Sequence, residues 1–366
     1  MHLRGIDHVE FYVEDLDRAA EQLTGGYGFR TAGRGARDDE RTLLLAHGGI
    51  RLLLTVGLTE EHPATRYTRR HGDGVAVIAF GVDDADEALR TLLARGATAS
   101  GPVLRHGAAG GGTVATAELG GFGDITHRIV QRSGARDEFW PGRIRTEPDT
   151  GPEPDHLLEV IDHFAGCVPA GQLDDTISFY QTVFGLTETF REHVEVGGQG
   201  MESKVVQSPA RDITFTLIEP DPTRRRGQID DFLDWHGGAG IQHIAFRTAD
   251  IVTAVSTFAS RGVRFLAAPG SYYDVLAERI GDLDVTPGVL RELGVLVDRD
   301  FWGQMYQIFA ESVHPRRTYF VEVIDRHGAL TFGSGNIKAL YEAKERELSD
   351  LDSLTSGTAA AATIRP

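Results

Sequence analysis

The chain has 366 residues, with 41% hydrophobic and 25% charged side chains, an ordinary balance for a folded protein and enough length for two domains. Thirty-seven Lys and Arg against 54 Asp and Glu give a net charge of −17, which argues against nucleic acid or an anionic membrane as a partner. Cys167 is the single cysteine, so no intrachain disulfide can form, and no stretch reaches the roughly 18 apolar residues of a spanning helix; a cytoplasmic protein is expected.

Ile6-Asp7-His8-Val9-Glu10-Phe11-Tyr12-Val13 reads as a first strand. It feeds a helix over 16–23, closed by Gly28-Phe29. GVAVIAF at 74–80 is a second strand. After Asp83-Asp84, apolar Ala85, Ala88, Leu89, Leu92 and Leu93 form the stripe of an amphipathic helix, with Gly96 as its cap. HGAAGGGTV at 106–114 lacks the Lys-Ser/Thr ending and following helix of a phosphate loop, so a hairpin loop is expected. A third strand covers 125–132. The Pro-, Gly- and charge-rich stretch that follows is expected to be a linker, 136–156, between an N-terminal domain (1–135) and a C-terminal one (157–352).

The later half repeats the earlier. IDHFAGCV at 161–168 matches the first strand, and a helix over 173–184 closes at Gly185-Leu186. GIQHIAF at 240–246 matches the second strand. After Asp250 come apolar Ile251, Ala254, Val255, Phe258 and Ala259, then Arg261-Gly262, in register with the earlier copy and without a gap. Residues 319–326 match 125–132. His156, Glu159 and His163 would share one helix face, but Pro152 and Pro154 precede them and the repeat makes 161–168 a strand. Cys167, in an apolar run, is expected to be a buried, inert thiol. Phe332-Gly333-Ser334-Gly335-Asn336 reads as a glycine-hinged entry to a lid helix over 337–348, and 353–366 as a disordered tail. His71, His106, His193, His236, His314 and His327 have no partners at telling spacings and are expected on the surface or in loops.

The halves differ where chemistry would sit. At equivalent points of three strands the later half carries His163, His243 and Glu322. The earlier half carries His8, Val77 and Arg128. Valine cannot bind a metal and arginine repels one, so His8 alone is expected to be structural. Two histidines and one carboxylate with open positions suit Fe(II) in an oxygen-using enzyme, and zinc accepts the same ligands.

Several motifs then carry a family resemblance: IDHFAGCV, GGAGIQHIAF, PGSYYD, VLVDRD, QIF at 307–309, IEP at 218–220 and EVIDRHGALTFGSGNIKALYEA. The chain resembles the 4-hydroxyphenylpyruvate dioxygenase and 4-hydroxymandelate synthase family of the vicinal oxygen chelate fold. The resemblance implies an α+β fold of two repeated halves, each of two βαβββ units forming curved open sheets. It also implies Fe(II) on His163, His243 and Glu322, with a 2-oxo acid and O2 as reactants. Ser203, Thr216, Ile218, Gln228, Gln307, Phe332, Asn336 and Ile337 are the expected substrate contacts. The dioxygenase pattern Pro-x-Asn-Glu-Pro reads Thr216-Leu217-Ile218-Glu219-Pro220 here, and Phe-Gly-x-Gly-Asn-Phe ends in Ile337. Both departures resemble the mandelate synthase, so 4-hydroxymandelate is the expected product, with homogentisate as the alternative. A non-oxidative isomerase or lyase, or a metal-free aromatic-binding protein of the same fold, are the other readings. The open sheet edges of such a fold allow a homodimer.

Overall fold

The computed structural model describes residues 2–107, 110–134, 138–147, 155–333, 335, 336 and 338. The N-terminal half runs β1 (Leu3–Tyr12), α1 (Leu16–Glu21), β2 (Arg30–Ala36), β3 (Glu40–His47), β4 (Ile50–Gly57), α2 (Pro63–His71), β5 (Gly74–Val82), α3 (Ala85–Ala94), β6 (Leu104–Gly107), β7 (Thr113–Gly120), β8 (Thr126–Ser133) and β9 (Arg145–Thr146). The C-terminal half runs β10 (Val160–Cys167), α4 (Leu173–Phe179), β11 (Thr187–Val196), β12 (Gln199–Gln207), β13 (Thr214–Pro220), α5 (Gln228–His236), β14 (Gly240–Arg247) and α6 (Ile251–Ser260). Three short helices follow, α7 (Gly270–Asp274), α8 (Leu276–Ile280) and α9 (Pro287–Leu293), then β15 (Leu296–Arg299), β16 (Gln304–Phe309) and β17 (Phe320–His327).

Each half is one curled open sheet, ordered β6-β7-β8-β5-β1-β4-β3-β2-β9 and β11-β12-β13-β10-β14-β17-β16-β15. The repeat holds down to single residues. His8, Ala79 and Arg128 pair in a row across β1, β5 and β8. His163, Ala245 and Glu322 pair in the same row across β10, β14 and β17. One step along, Glu10 faces Val77 and Ala165 faces His243. Even the π turns that end the first helices recur, at Gln22–Gly26 and Tyr180–Phe184.

Alternation along each strand separates two faces. Phe164, Ile244, Phe246, Val321 and Val323 join the apolar core, while the partners of His163 and His243 line the other face. The helices cover the apolar face. In α6, Asp250 caps the first turn by accepting from the Thr253 amide at 3.0 Å, and Ile251, Ala254, Val255 and Phe258 are buried. Gly262 then ends it at φ +92°, a value that costs glycine least. The halves share this core: Phe80 meets Phe184 at 5.4 Å, Tyr27 meets Phe258 at 5.4 Å, and Phe11 meets Tyr319 at 5.1 Å. Each such ring contributes about 1.5–3 kcal/mol through burial.

Part of the expected linker is folded. Ile144 pairs with Trp140 and β9 pairs with β2, while Trp140 is buried against Leu44 and Leu53. The composition there is that of a loop, but the Trp140 ring and the Arg143 charge both have partners in the N-terminal sheet. His71, His236 and His314 also depart from expectation, being buried rather than superficial. They lie on the seam between the halves. His71 stacks on His236 at 4.2 Å and its two ring nitrogens contact the His236 carbonyl and Asp124, at 2.7 and 2.8 Å. His314 packs on Tyr319 at 4.1 Å. His193 and His327 are exposed, as expected. The lid helix expected at 337–348, Lys338 apart, and the tail at 353–366 lie outside the described residues, as does Ile337.

Candidate metal centre

His163, His243 and Glu322 come together from three neighbouring strands, with one donor atom of each within 4.8 Å of the others. Both imidazoles aim Nε2 at the same carboxylate oxygen: His163 at 3.3 Å and His243 at 3.2 Å from Glu322 Oε2. Glu322 and His163 are almost fully buried.

The surroundings fix the first imidazole. His163 Nδ1 donates to Asp162 Oδ1 at 2.8 Å, which turns the Nε2 lone pair towards the shared point. Arg326 holds Asp162 through two parallel bonds of 2.8 Å, from Nε to Oδ2 and from Nη2 to Oδ1. The same guanidinium donates to the Ala329 and Thr331 carbonyls and lies 5.0 Å from the Phe332 ring centre. Phe332 meets His163 edge-on at 5.1 Å. His243 is held by packing instead: it stacks on Phe320 at 5.0 Å, and its Nδ1 is buried without a partner among the described residues.

Charge distribution follows from these contacts. Burial alone would raise the Glu322 carboxyl, but the neighbouring His163 charge and hydrogen bonds from both histidines bring it down to about 2. Burial would lower His163, yet Glu322 and Asp162 outweigh it and lift the ring to about 9. His243 is pushed down, by burial first, since only Glu322 supports its charge. The His163 ring is thus the positive partner of the Glu322 carboxylate. A divalent cation would take over that role, and the donor set is of the kind that leaves positions open for exogenous ligands.

The N-terminal half shows what happens when the cation is covalent. Asp7, His8 and Arg132 reproduce Asp162, His163 and Arg326, with His8 Nδ1 2.7 Å from Asp7 and Arg132 bonded twice to Asp7. His8 Nε2 accepts from Arg128 Nη1 at 3.0 Å, and Arg128 also donates to Glu10 at 2.7 Å and Glu118 at 2.6 Å. The guanidinium stands where an ion would lie.

Strand pairing places Ser203, Thr216, Ile218 and Gln307, four of the eight expected substrate contacts, on the metal-bearing face. Ala165 pairs with Thr216 and Cys167 with Ile218. Ile218 in turn pairs with Ser203. On the other side Glu322 pairs with Phe309 and Ile324 with Gln307. Thr216 Oγ1, Gln307 Oε1 and Asn336 Nδ2 are buried without partners among the described residues, a state that ordinarily costs about 1–3 kcal/mol each and fits polar groups awaiting a ligand. Cys167 is fully buried and burial pushes its thiol up, so it stays an inert wall residue. Gln228 is exposed at the first turn of α5, whose buried side is Ile229, Phe232 and His236. The sequence comparison passed over Asp162 and Arg326. Their signal was present, since an aspartate precedes the first histidine and an arginine follows the third position by four in both halves.

Models of the Glyoxalase/Bleomycin resistance protein/Dioxygenase superfamily match residues 7–116 and 160–285, one in each sheet. 4-Hydroxyphenylpyruvate dioxygenase of Coccidioides posadasii is 30% identical over 94% of this chain and 93% of its own length. A probable 4-hydroxyphenylpyruvate dioxygenase 2 of Aspergillus fumigatus is 33% identical over 94% and 93%. A solved variant of 4-hydroxymandelate synthase from Streptomyces coelicolor superposes with a TM-score of 0.85 at 40% identity, covering 95% of this chain and 99% of that one. The chain belongs to the 4-hydroxyphenylpyruvate dioxygenase and 4-hydroxymandelate synthase family. It is thus a dioxygenase-type member of the vicinal oxygen chelate fold, and the three donors on β10, β14 and β17 are its candidate metal ligands.

Proposed function

We propose that the chain is a non-heme Fe(II) oxygenase converting 4-hydroxyphenylpyruvate and O2 into 4-hydroxymandelate and CO2. The observation that carries this reading is the convergence of His163, His243 and Glu322 on one point, on a face that also holds unpartnered polar atoms. Fe(II) held by these residues would supply dioxygen activation coupled to oxidative decarboxylation of the 2-oxo acid. The remaining work belongs to the chain. Asp162 and Arg326 keep the His163 lone pair on target, and the Phe320 ring does so for His243. Ala165 and Ala245, the cross-strand neighbours of the two histidines, take little room and leave space beside the ion. Thr216, Gln307 and Asn336 present polar atoms to the substrate, and Phe332 flanks its ring.

4-Hydroxymandelate and homogentisate have the same composition, so the product depends on which carbon is presented. A shift of about 1 Å changes rates by orders of magnitude. Two things favour the benzylic carbon. Ile218 puts an apolar branched side chain among Ser203 and Cys167, where the dioxygenase pattern has an asparagine. The mandelate synthase neighbour is also more similar, at 40% identity, than the dioxygenase relatives at 30–33%. Aerobic incubation with Fe(II) and 4-hydroxyphenylpyruvate, followed by chromatography, tests the proposal. Homogentisate as the main product would assign the chain to the dioxygenase reaction, and turnover without O2 would remove the oxygenase reading altogether.

A further inference from the structure

The turn that carries Asn336 lies on the metal-bearing face. Its first residue, Phe332, packs on His163, and the Asn336 amide closes the turn by donating to the Gly333 carbonyl at 2.9 Å. Gly333 is pressed against Gln307, since a Cβ there would lie 2.5 Å from its Nε2. The Asn336 side chain is 1% exposed, and its two ends are treated unequally. Oδ1 is 2.7 Å from the Tyr272 hydroxyl and 3.1 Å from Arg279 Nη2. Nδ2 has no partner among the described residues.

This orientation is forced by chemistry. A guanidinium only donates, so the atom of Asn336 facing Arg279 must be the carbonyl oxygen. Tyr272 cannot reverse the choice, because its oxygen already accepts from the Val297 amide at 3.0 Å and from Arg279 Nη2 at 2.7 Å. Arg279 is itself fixed. The two Nη2 hydrogens serve the Val297 carbonyl at 2.6 Å and the Tyr272 oxygen, with Asn336 Oδ1 sharing one of them at 3.1 Å; Nη1 donates to the Gly335 carbonyl at 3.1 Å, and the guanidinium lies 4.8 Å from the Tyr272 ring centre. Asp298 completes the clamp by accepting from the Gly335 amide at 3.0 Å. A side chain at 335 would collide with that carboxylate at 2.7–2.8 Å, which is why glycine stands there.

We propose that Arg279 is a positioning residue that locks the Asn336 amide with its NH2 group towards the substrate, so that the group met there is a hydrogen-bond acceptor. This deepens the reading above and rests on it. The acceptor is an oxygen of the aromatic 2-oxo acid, either the ring hydroxyl or the oxo-acid end. A site ending in an NH2 donor favours such an oxygen and disfavours a donor-only group.

The test measures the dissociation constant of 4-hydroxyphenylpyruvate anaerobically on the Fe(II)-loaded full chain. Arg279→Leu and Asn336→Leu should each weaken binding about tenfold, the loss of one well-placed hydrogen bond. The double variant should be no weaker than Asn336→Leu, because Arg279 acts through Asn336. Should Arg279→Leu fail to fold, Asn336→Asp decides the sign. It keeps the Arg279 contact but turns an acceptor towards the substrate, and should bind more weakly than Asn336→Leu. Phenylpyruvate locates the oxygen: a penalty that vanishes with it assigns the ring hydroxyl, and one that persists assigns the oxo-acid end. Unchanged binding in Arg279→Leu, multiplicative losses in the double variant, or an Asn336→Asp that binds as well as the parent would overturn the proposal while leaving the oxygenase reading intact. An unsubstituted chain that does not bind 4-hydroxyphenylpyruvate would overturn both.

Discussion

Replacing Arg128 with methionine tests whether a guanidinium does the work of an ion in the N-terminal half. Arg128 is 3% exposed and serves three acceptors: His8, Glu10 and Glu118. Glu10 is 0% exposed, so removing Arg128 strips one of two positive charges from a carboxylate that water cannot reach. Breaking a buried pair on one side costs about 3–5 kcal/mol, against roughly 0–1 kcal/mol for a surface pair. Arg143 and the Thr55 hydroxyl still hold Glu10, at 2.5 and 2.7 Å, which places the expected loss near the lower end, about 3 kcal/mol. Urea denaturation at pH 7 reads this directly. Adding Glu10→Gln to Arg128→Met should recover part of the loss, because the uncompensated charge disappears with it. The pH profile is a second readout. Burial alone would raise the Glu10 carboxyl, but Arg143 and Arg128 hold it well below its ordinary 4.5. Its stabilisation is therefore complete above that value and is lost as the pH falls through the depressed folded value. Without Arg128 the folded value rises, so the loss should begin at higher pH. A cost below about 1 kcal/mol, with an unshifted acid limb, would refute the idea that this cation is structurally required.

Further expectations can be checked with simple variants. Asp162→Asn should weaken metal binding about 10–100-fold by freeing the His163 ring, measured by competition with a chelator; unchanged affinity would mean the contact does not orient the ligand. Ile218→Asn should move the product ratio from mandelate towards homogentisate in chromatography, and an unmoved ratio would remove Ile218 from the determinants of outcome. Gly240→Ala should cost about 1–3 kcal/mol in denaturation, since a Cβ there would lie 2.3 Å from the His236 ring. Burial, together with the His71 charge, lowers His236 to about 4, and burial lowers His127 to about 3. Both are depressed below the ordinary 6.5, so their contribution is present above that value and is lost as the pH drops towards 4. Denaturation midpoints should fall over that window, and His236→Asn should flatten the fall; equal slopes would exclude His236 as a source.

How much of this was legible in the sequence depended on whether two copies could be compared. His243 stands out because Val77 occupies its place, and Glu322 because Arg128 does. Asp162 and Arg326 escaped for the opposite reason. Both halves keep them, as Asp7 and Arg132, and a search for differences discards what is shared. The seam histidines were hidden because His71 and His236 meet only when the ends of α2 and α5 are packed together, and neither neighbourhood names the other. Trp140 and Arg143 were hidden by composition. Their segment has the Pro and Gly content of a loop, but two guanidiniums meet the Trp140 ring, Arg128 at 4.8 Å and Arg143 at 4.7 Å.

Why one half keeps a diffusible ion and the other a covalent cation follows from what each must leave free. In both sheets a histidine lone pair, turned inward by an aspartate and an arginine, needs a positive partner. In the N-terminal half Arg128 spends its donors on His8, Glu10 and Glu118, and its guanidinium lies 4.8 Å from the Trp140 ring centre. Glu10 balances the charge there, and Arg143 in turn balances Glu10 and Glu40. In the C-terminal half the residue equivalent to Glu10 is Ala165, directly across from His243. That small side chain removes a competing carboxylate and leaves the ion's remaining positions to exogenous ligands. Ala165→Glu should therefore close the site from the inside, lowering substrate affinity more than metal affinity. A variant that bound both as the parent does would show that the space beside His243 is not where substrate enters.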